Sequence, residues 1–183
     1  LLERWYDERK VMQGKMREAI QTKEKKQIAF WDKRQLVKKI NLNSLYGAIL
    51  NPGCRFFDQR IGQSVTLSGR TITKHMASQT NQIVTGEYDH VGKSIIYGDT
   101  DSVYFSAYPI LKEDVDAGKI PWTKESVVEL YDRISSEVNH TFPDFMVKAF
   151  GVDVDSGGII KSGREIIASS GLFITKKRYA ALI

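Results

Sequence analysis

SIIYGDTDSVYFS, residues 94–106, is the stretch on which the reading of this chain turns. Two short runs of strand-forming residues, Ile95-Ile96-Tyr97 and Val103-Tyr104-Phe105, flank the polar tetrad Gly98-Asp99-Thr100-Asp101. That pattern predicts a β-hairpin with the tetrad at its tip. Aspartate is common in turns for backbone reasons alone. Turn formers capped by Thr100 are therefore one reading of Asp99 and Asp101. Two carboxylates only two positions apart, beside core-facing strands, ask for a second one.

Working outward, KEDVDAGKIPW (112–122) reads as a loop. An amphipathic helix follows over 124–140, through Val127/Val128, Tyr131, Ile134 and Val138. The stretch 157–183, GGIIKSGREIIASSGLFITKKRYAALI, reads as paired strands around an Ala168-Ser169-Ser170-Gly171 turn. Upstream of the hairpin, residues 62–83 read as a helix that Gly86 ends. Ile61, Val65, Ile72, Met76 and Ile83 share one face of it, and the small Ser68 and Gly69 suit close packing. Further upstream, residues 1–22 and 28–50 read as two helices joined by the polar TKEKKQ, with Asn51-Pro52-Gly53 as a breaker. The first has Leu2, Trp5, Met12, Met16 and Ala19/Ile20 at helical spacing, and Arg9 on that apolar stripe. The expected class is α+β: an antiparallel helical hairpin on a body of antiparallel strands packed with helices.

The chain has 183 residues, 42% hydrophobic and 27% charged, which fits a soluble globular protein. Its apolar runs are too short for a membrane span. Its first residues lack the charge and apolar core of a signal peptide. A single cysteine, Cys54, excludes an internal disulfide and a cysteine zinc cluster, and fits a reducing, cytoplasmic compartment. The absence of an initiator Met, and the stop on RYAALI within an apolar pattern, lead us to expect a piece of a longer protein. The net charge of +5 is uneven. Residues 1–39 hold 12 Lys/Arg against 6 Asp/Glu, which reads either as a solvated helical face or as a phosphate-binding element.

On the second helix Lys39, Asn43 and Tyr46 stand at i, i+4 and i+7 and fall within one arc of the surface, followed by Gly47. Val37, Ile40, Leu45 and Ala48 fall on the other side and are expected to face the core. A ladder of ammonium, amide and phenol is either an ordinary wet face or a row of ligand contacts. KKRYA (176–180) reads as a basic strand with Lys177 and Tyr179 on one face and Lys176 and Arg178 on the other. That is either a charged edge protecting a sheet or a contact to a polyanion. His75, His90 and His140 have no metal-like spacing, and His75 reads as structural.

KINLNSLYG, then YGDTDS, then KKRY, in this order and approximate spacing, resemble the motif series of family B DNA polymerases. NSLYGAILNPGCRFFD is most similar to the replicative polymerases of tailed bacteriophages. The resemblance covers nearly the whole chain. It implies a fingers hairpin over 1–50 and a palm portion over 51–183. It implies DNA-directed DNA synthesis from dNTPs on primer-template DNA, in the cytoplasm of an infected bacterial host if the source is viral. It also implies, through regions outside this sequence, a sliding-clamp partner.

The resemblance answers the question of the two carboxylates. Phosphoryl transfer uses divalent cations that neutralise the reacting phosphates, and hard Mg²⁺ takes carboxylate oxygens. Two Mg²⁺ ions, with Mn²⁺ as the alternative, are implied at Asp101, with Asp99 as a supporting ligand. Glu165, in GREIIA, is the candidate third carboxylate, or else a surface residue beside Arg164. Gly98 is expected to ease the turn, and Tyr97 and Val103 to anchor the strands. Lys39 and Arg9 are implied on the triphosphate, brought onto it by closure of the helical hairpin. Asn43, Tyr46 and Gly47 are implied beneath the new base pair. Lys176, Lys177, Arg178 and Tyr179 are implied on the primer strand near its 3′ end.

Two departures from the pattern stand out. A second cation usually follows the first-helix Arg by one turn, and Gln13 occupies that place, which leaves Lys10 or Lys15 as substitutes. The carboxylate of a D-x-x-S-L-Y-P segment is missing, and its natural place is upstream of Leu1. The rival readings are a catalytically incomplete nucleic-acid-binding module, and another two-metal polymerase such as a reverse transcriptase.

Overall fold

The computed structural model describes residues 1–183. It contains six helices and two two-stranded antiparallel sheets, a mixture that fits the α+β expectation. The chain divides into two compact units, 1–67 and 68–183. No helix is long and apolar enough to cross a membrane.

In the first unit, α1 (Leu2–Gln21) and α2 (Lys25–Leu50) form the expected antiparallel pair. The link is shorter than its composition suggests. Lys23 takes a left-handed φ of 58° and the second helix starts at once, so Lys25–Gln27 are helical and not loop. Long polar side chains do much of the joining, because little of this pair is buried. Ala19 is the one buried residue of α1, and α2 has none. Glu8 forms an ion pair with Lys38 across the helices. Lys38 and Lys15 also lie over the rings of Trp5 and Trp31, 5.8 and 4.7 Å from their centroids. Leu45 and Ala48 are half-buried as expected, but Val37 and Ile40 are more than half exposed. The buried side of α2 follows Ile28, Trp31, Gln35 and Lys38 instead.

α3 (Gln59–Thr85) begins three residues earlier than the apolar pattern suggests. Ile61 and Val65 are exposed, whereas Ile72, Met76 and Ile83 pack in the core. Gly69 has no neighbour near enough to need its missing side chain, so the expected close packing there is absent.

The core of the second unit lies on α5 (Lys124–Phe150). Ile134, Val138 and Phe142, one or two turns apart, are almost fully buried against Ile72, Met76, Val84, Phe105 and Leu130. Each such side chain contributes about 1.5–3 kcal/mol. α5 starts in a capping box, in which Thr123 and Ser126 each accept the other's backbone N–H. It runs ten residues past the expected end, straight through Pro143. Proline forfeits one backbone hydrogen bond there, but fully buried Phe142 and half-buried Phe145 keep the turn packed. The helix stops at Gly151, in a left-handed cap with φ 65°.

Three other expectations need correction. Residues 112–116 are helical, within α4 (Tyr108–Asp116), because Pro109 opens the first turn and Ile110, Leu111 and Val115 face inward. After the short α6 (Val154–Gly157), residues 158–169 form no strand. They are held along α5 by side chains. The Asn139 amide clamps Ser162, accepting from its N–H at 2.6 Å and donating to its carbonyl at 2.9 Å. Arg164 forks onto Asp132 at 2.6 and 3.3 Å, which holds that carboxyl below the usual range. Finally, β3 (Ser170–Thr175) and β4 (Arg178–Leu182) turn at Lys176-Lys177, not at residues 168–171. Lys177 adopts φ 63°, a conformation seldom given to lysine, which is why the composition pointed elsewhere.

Candidate active site

The hairpin at 94–106 forms as expected from β1 (Ile95–Asp99) and β2 (Ser102–Phe105). Asp99 pairs with Ser102, so Thr100-Asp101 is a two-residue turn. Gly98 is not what permits it. Gly98 lies in β1 opposite Val103, and Thr100 carries the left-handed φ of 49°. A β-branched residue in that conformation is an outlier that costs of order 1–3 kcal/mol and persists only when its surroundings hold it. Several bonds do so. The Thr100 hydroxyl donates to Asp99 Oδ1 at 3.1 Å, and the Ser102 hydroxyl donates to the Asp99 carbonyl at 3.1 Å. The Thr73 hydroxyl on α3 donates to the Thr100 carbonyl at 2.9 Å.

The root of the hairpin is held by the same helix. Asn81 is fully buried. Its Oδ1 accepts from the Ser94 N–H and hydroxyl at 3.1 and 2.8 Å, and its Nδ2 donates to the Glu87 carbonyl at 2.8 Å. Gly92 passes so close that a Cβ there would lie 2.0 Å from Asn81 Nδ2. Nearby, His75 is buried between the Tyr88 and Thr141 hydroxyls and stacked on Phe145 at 3.8 Å. Burial lowers its pKa, and its role is structural, as its spacing suggested.

The second hairpin, residues 170–182, docks on the first through an aromatic seam. Phe173 lies 5.6 Å from Tyr97 and 5.3 Å from Tyr104, and Tyr179 lies 5.1 Å from Tyr104. The Tyr104 and Tyr179 hydroxyls are 2.7 Å apart. That hydrogen bond, then burial, then neighbouring charge that includes Glu165, pushes Tyr104 up to about 12. Glu165 is thus within electrostatic reach of the first hairpin. The Lys177 N–H donates to the Tyr97 hydroxyl at 2.8 Å, and its ammonium stands 4.0 Å from Asp99. The seam therefore brings Asp99, Lys177 and Tyr179 into one neighbourhood, with Asp101 on the same turn as Asp99. Asp101 itself is exposed and in no ion pair.

In the first unit, Lys39, Asn43 and Gly47 are exposed along α2, as a ligand-facing stripe requires. Tyr46 is half-buried and its hydroxyl donates to the Gly62 carbonyl at 3.3 Å. Arg9 is half-buried and donates from Nε to Gln35, one turn before Lys39, at 3.3 Å. The two cations expected on a triphosphate thus sit near one stretch of α2. No group of three or more His, Cys, Asp or Glu is arranged to hold a metal. Asp99 and Asp101 offer two carboxylates, a donor set that suits Mg²⁺, which is commonly held by one or two carboxylates plus substrate phosphates.

Thr73, Asn81, Asn139 and the aromatic seam were not foreseen as site-building residues. For Asn81 a signal existed: His75, Ser78, Thr80 and Asn81 are polar residues that recur on one helix and are buried there, and such groups need partners.

Comparison of the sequence with known proteins identifies a family. The family model for DNA polymerase family B matches residues 1–148. The DNA polymerase alpha catalytic subunit of Xenopus laevis is 30% identical over 83% of this chain and 8% of its own length. DNA polymerase II of Escherichia coli (strain K12) is 38% identical over 36% of this chain and 7% of its own. The DNA-directed DNA polymerase of Escherichia phage RB69 is 33% identical over 42% of this chain and 9% of its own. No solved structure matches significantly. The chain belongs to DNA polymerase family B. It spans less than a tenth of the length of these three relatives, which come from an animal, a bacterium and a phage.

Proposed function

We propose that this chain supplies part of the polymerising centre of a DNA-directed DNA polymerase, with fingers over 1–50 and a palm portion over 51–183. The reaction is attack of a primer 3′-hydroxyl on the α-phosphate of a dNTP. One P–O bond forms as the hydroxyl loses its proton to solvent, the α–β bridge breaks, and pyrophosphate leaves. The observation that carries this reading is the strained tip bearing Asp99 and Asp101 in a chain of this family. Bound Mg²⁺, or Mn²⁺ in its place, would neutralise charge on the reacting phosphates.

The chain's own residues divide the remaining work. Asp101 would be the main ligand and Asp99 a support also tied to Lys177; Glu165, which forms no three-ligand group with them in this structure, would have to move closer to serve as the third carboxylate. Lys39 and Arg9 would bind the triphosphate, and Lys39 would offset charge on the departing pyrophosphate. Asn43, Tyr46 and Gly47 would pack against the nascent pair. A phenol can test its shape at the minor-groove edge, where every correct pair presents acceptors. Lys176, Lys177, Arg178 and Tyr179 would hold the primer without reading its sequence. The Lys176-Lys177 turn projects two cations from the end of its hairpin, which suits phosphate contact. A sliding clamp would bind elsewhere.

Primer extension by a chain carrying the upstream segment tests this. Asp101→Ala should lower extension by at least about 10²-fold. Retained extension in that variant would defeat the proposal. DNA should serve as template and RNA should not, since the reverse would favour a reverse transcriptase. A second reading, a nucleic-acid-binding module without turnover, draws on the absence of any three-ligand group in this chain. It requires DNA binding but no extension even with the upstream segment in place.

A further inference from the structure

The two-residue turn between the candidate metal ligands has a left-handed threonine at its first position, and strands alone do not enforce that. We infer that Thr73, in the middle of α3, is a positioning residue that latches the Asp99-Thr100-Asp101 tip. The inference rests on the polymerase reading above. Thr73 Oγ1 lies 2.9 Å from the Thr100 carbonyl and 3.1 Å from the Gly69 carbonyl of its own helix. A helical threonine ordinarily returns its proton to its own backbone one turn back. Here the same hydroxyl also reaches a second acceptor 27 residues away, in the peptide that joins Thr100 to Asp101.

That peptide sets the direction in which Asp101 leaves the turn. Asp101 is exposed and in no ion pair, so the turn's backbone sets the direction of its Cα–Cβ bond and no side-chain partner constrains it further. Asn81, eight residues on along α3, grips the root of the same hairpin through Ser94. α3 thus holds both ends of the hairpin: the root by a fully buried amide, the tip by a half-buried hydroxyl. The root bond maintains the fold. The tip bond fixes an angle. A catalytic geometry that depends on fractions of an ångström is sensitive to such an angle.

The test compares Thr73→Val with Thr73→Ser in the full-length chain. Valine keeps the shape and removes the proton, and serine keeps the proton. Hydrogen exchange over residues 98–103 should speed up about 3- to 10-fold in Thr73→Val, the worth of one hydrogen bond, and remain near wild type in Thr73→Ser. In primer extension, Thr73→Val should lower kcat by a similar factor and raise the half-saturating Mg²⁺ concentration. The KM for dNTP should stay unchanged, and Thr73→Ser should recover activity. Unchanged exchange at the tip in Thr73→Val overturns the latch. So does loss of activity in Thr73→Ser equal to that in Thr73→Val. If exchange responds but kcat does not, the latch holds the turn without serving catalysis, and the inference is equally overturned. Asp101→Asn, assayed in parallel, separates the two levels. Full activity there refutes the polymerase reading, while the exchange comparison still judges the latch.

Discussion

At the scale of single residues, Lys39 is exposed and has no carboxylate partner. If it binds a triphosphate, Lys39→Ala should lower kcat/KM for dNTP by about 10- to 100-fold, the worth of a charge-assisted hydrogen bond. DNA affinity should stay near wild type. Loss of DNA binding, measured by fluorescence anisotropy, would instead place the stripe on the template. Lys39 was legible in the sequence because charge and helical spacing survive translation into structure. The turn residue was not. Thr100 and Lys177 both adopt positive φ against their own preference, and only surrounding hydrogen bonds make that tenable. Nothing in either residue type announces it. Gly98, the residue whose type does announce a turn, lies in a strand.

At the scale of elements, the seam between the two hairpins is the feature most open to test. A lone two-stranded hairpin is marginal in water, and each of these sheets has two strands. Phe173 touches Tyr97, Tyr104 and Tyr179. Phe173→Ala should weaken the docking by about 1–3 kcal/mol, below the full cost for a buried aromatic because Phe173 is half-exposed. Hydrogen exchange should rise across 170–182 and stay low in α5. At the other end of the unit, Thr123→Ala removes one half of the capping box and should cost about 1 kcal/mol, read from thermal melts. The long helices were legible because apolar spacing is a strong signal. Their ends were less so. Pro143 reads as a terminator, but burial of Phe142 overrides it, and the Asn139 clamp replaces strand pairing that composition suggested for 158–169.

At the scale of the whole molecule, stability should respond to pH in two stages. His75 has a folded pKa below its usual 6.5, so the native state prefers it neutral. Its contribution is complete above about pH 6.5 and is lost as pH falls from there through the lower folded value. Asp58, Asp132, Asp153 and Glu8 are held below the usual carboxylate range, chiefly by Arg60, Arg164, the Ser156 backbone N–H and Lys38. Their contribution is present above about pH 4 and lost below it. Melting temperature against pH should therefore fall first as pH drops below about 6.5, and again below about 4. His75→Gln should flatten the first fall alone. Phe142→Ala, at the centre of the α5 core, should destabilise the second unit by about 3–5 kcal/mol, a large part of an ordinary domain's stability. The class of fold and the family were legible because three motifs are local strings. How α3 carries the hairpin was not, because that depends on contacts between distant residues.

The contact between Gly92 and Asn81 has a historical consequence. With only 2.0 Å for a Cβ, neither position is free to drift alone. A lineage that acquires a side chain at 92 must first shrink the amide at 81, and in doing so it surrenders the grip on Ser94. Among descendants of the same ancestor these two sites should change as a pair or stay as they are.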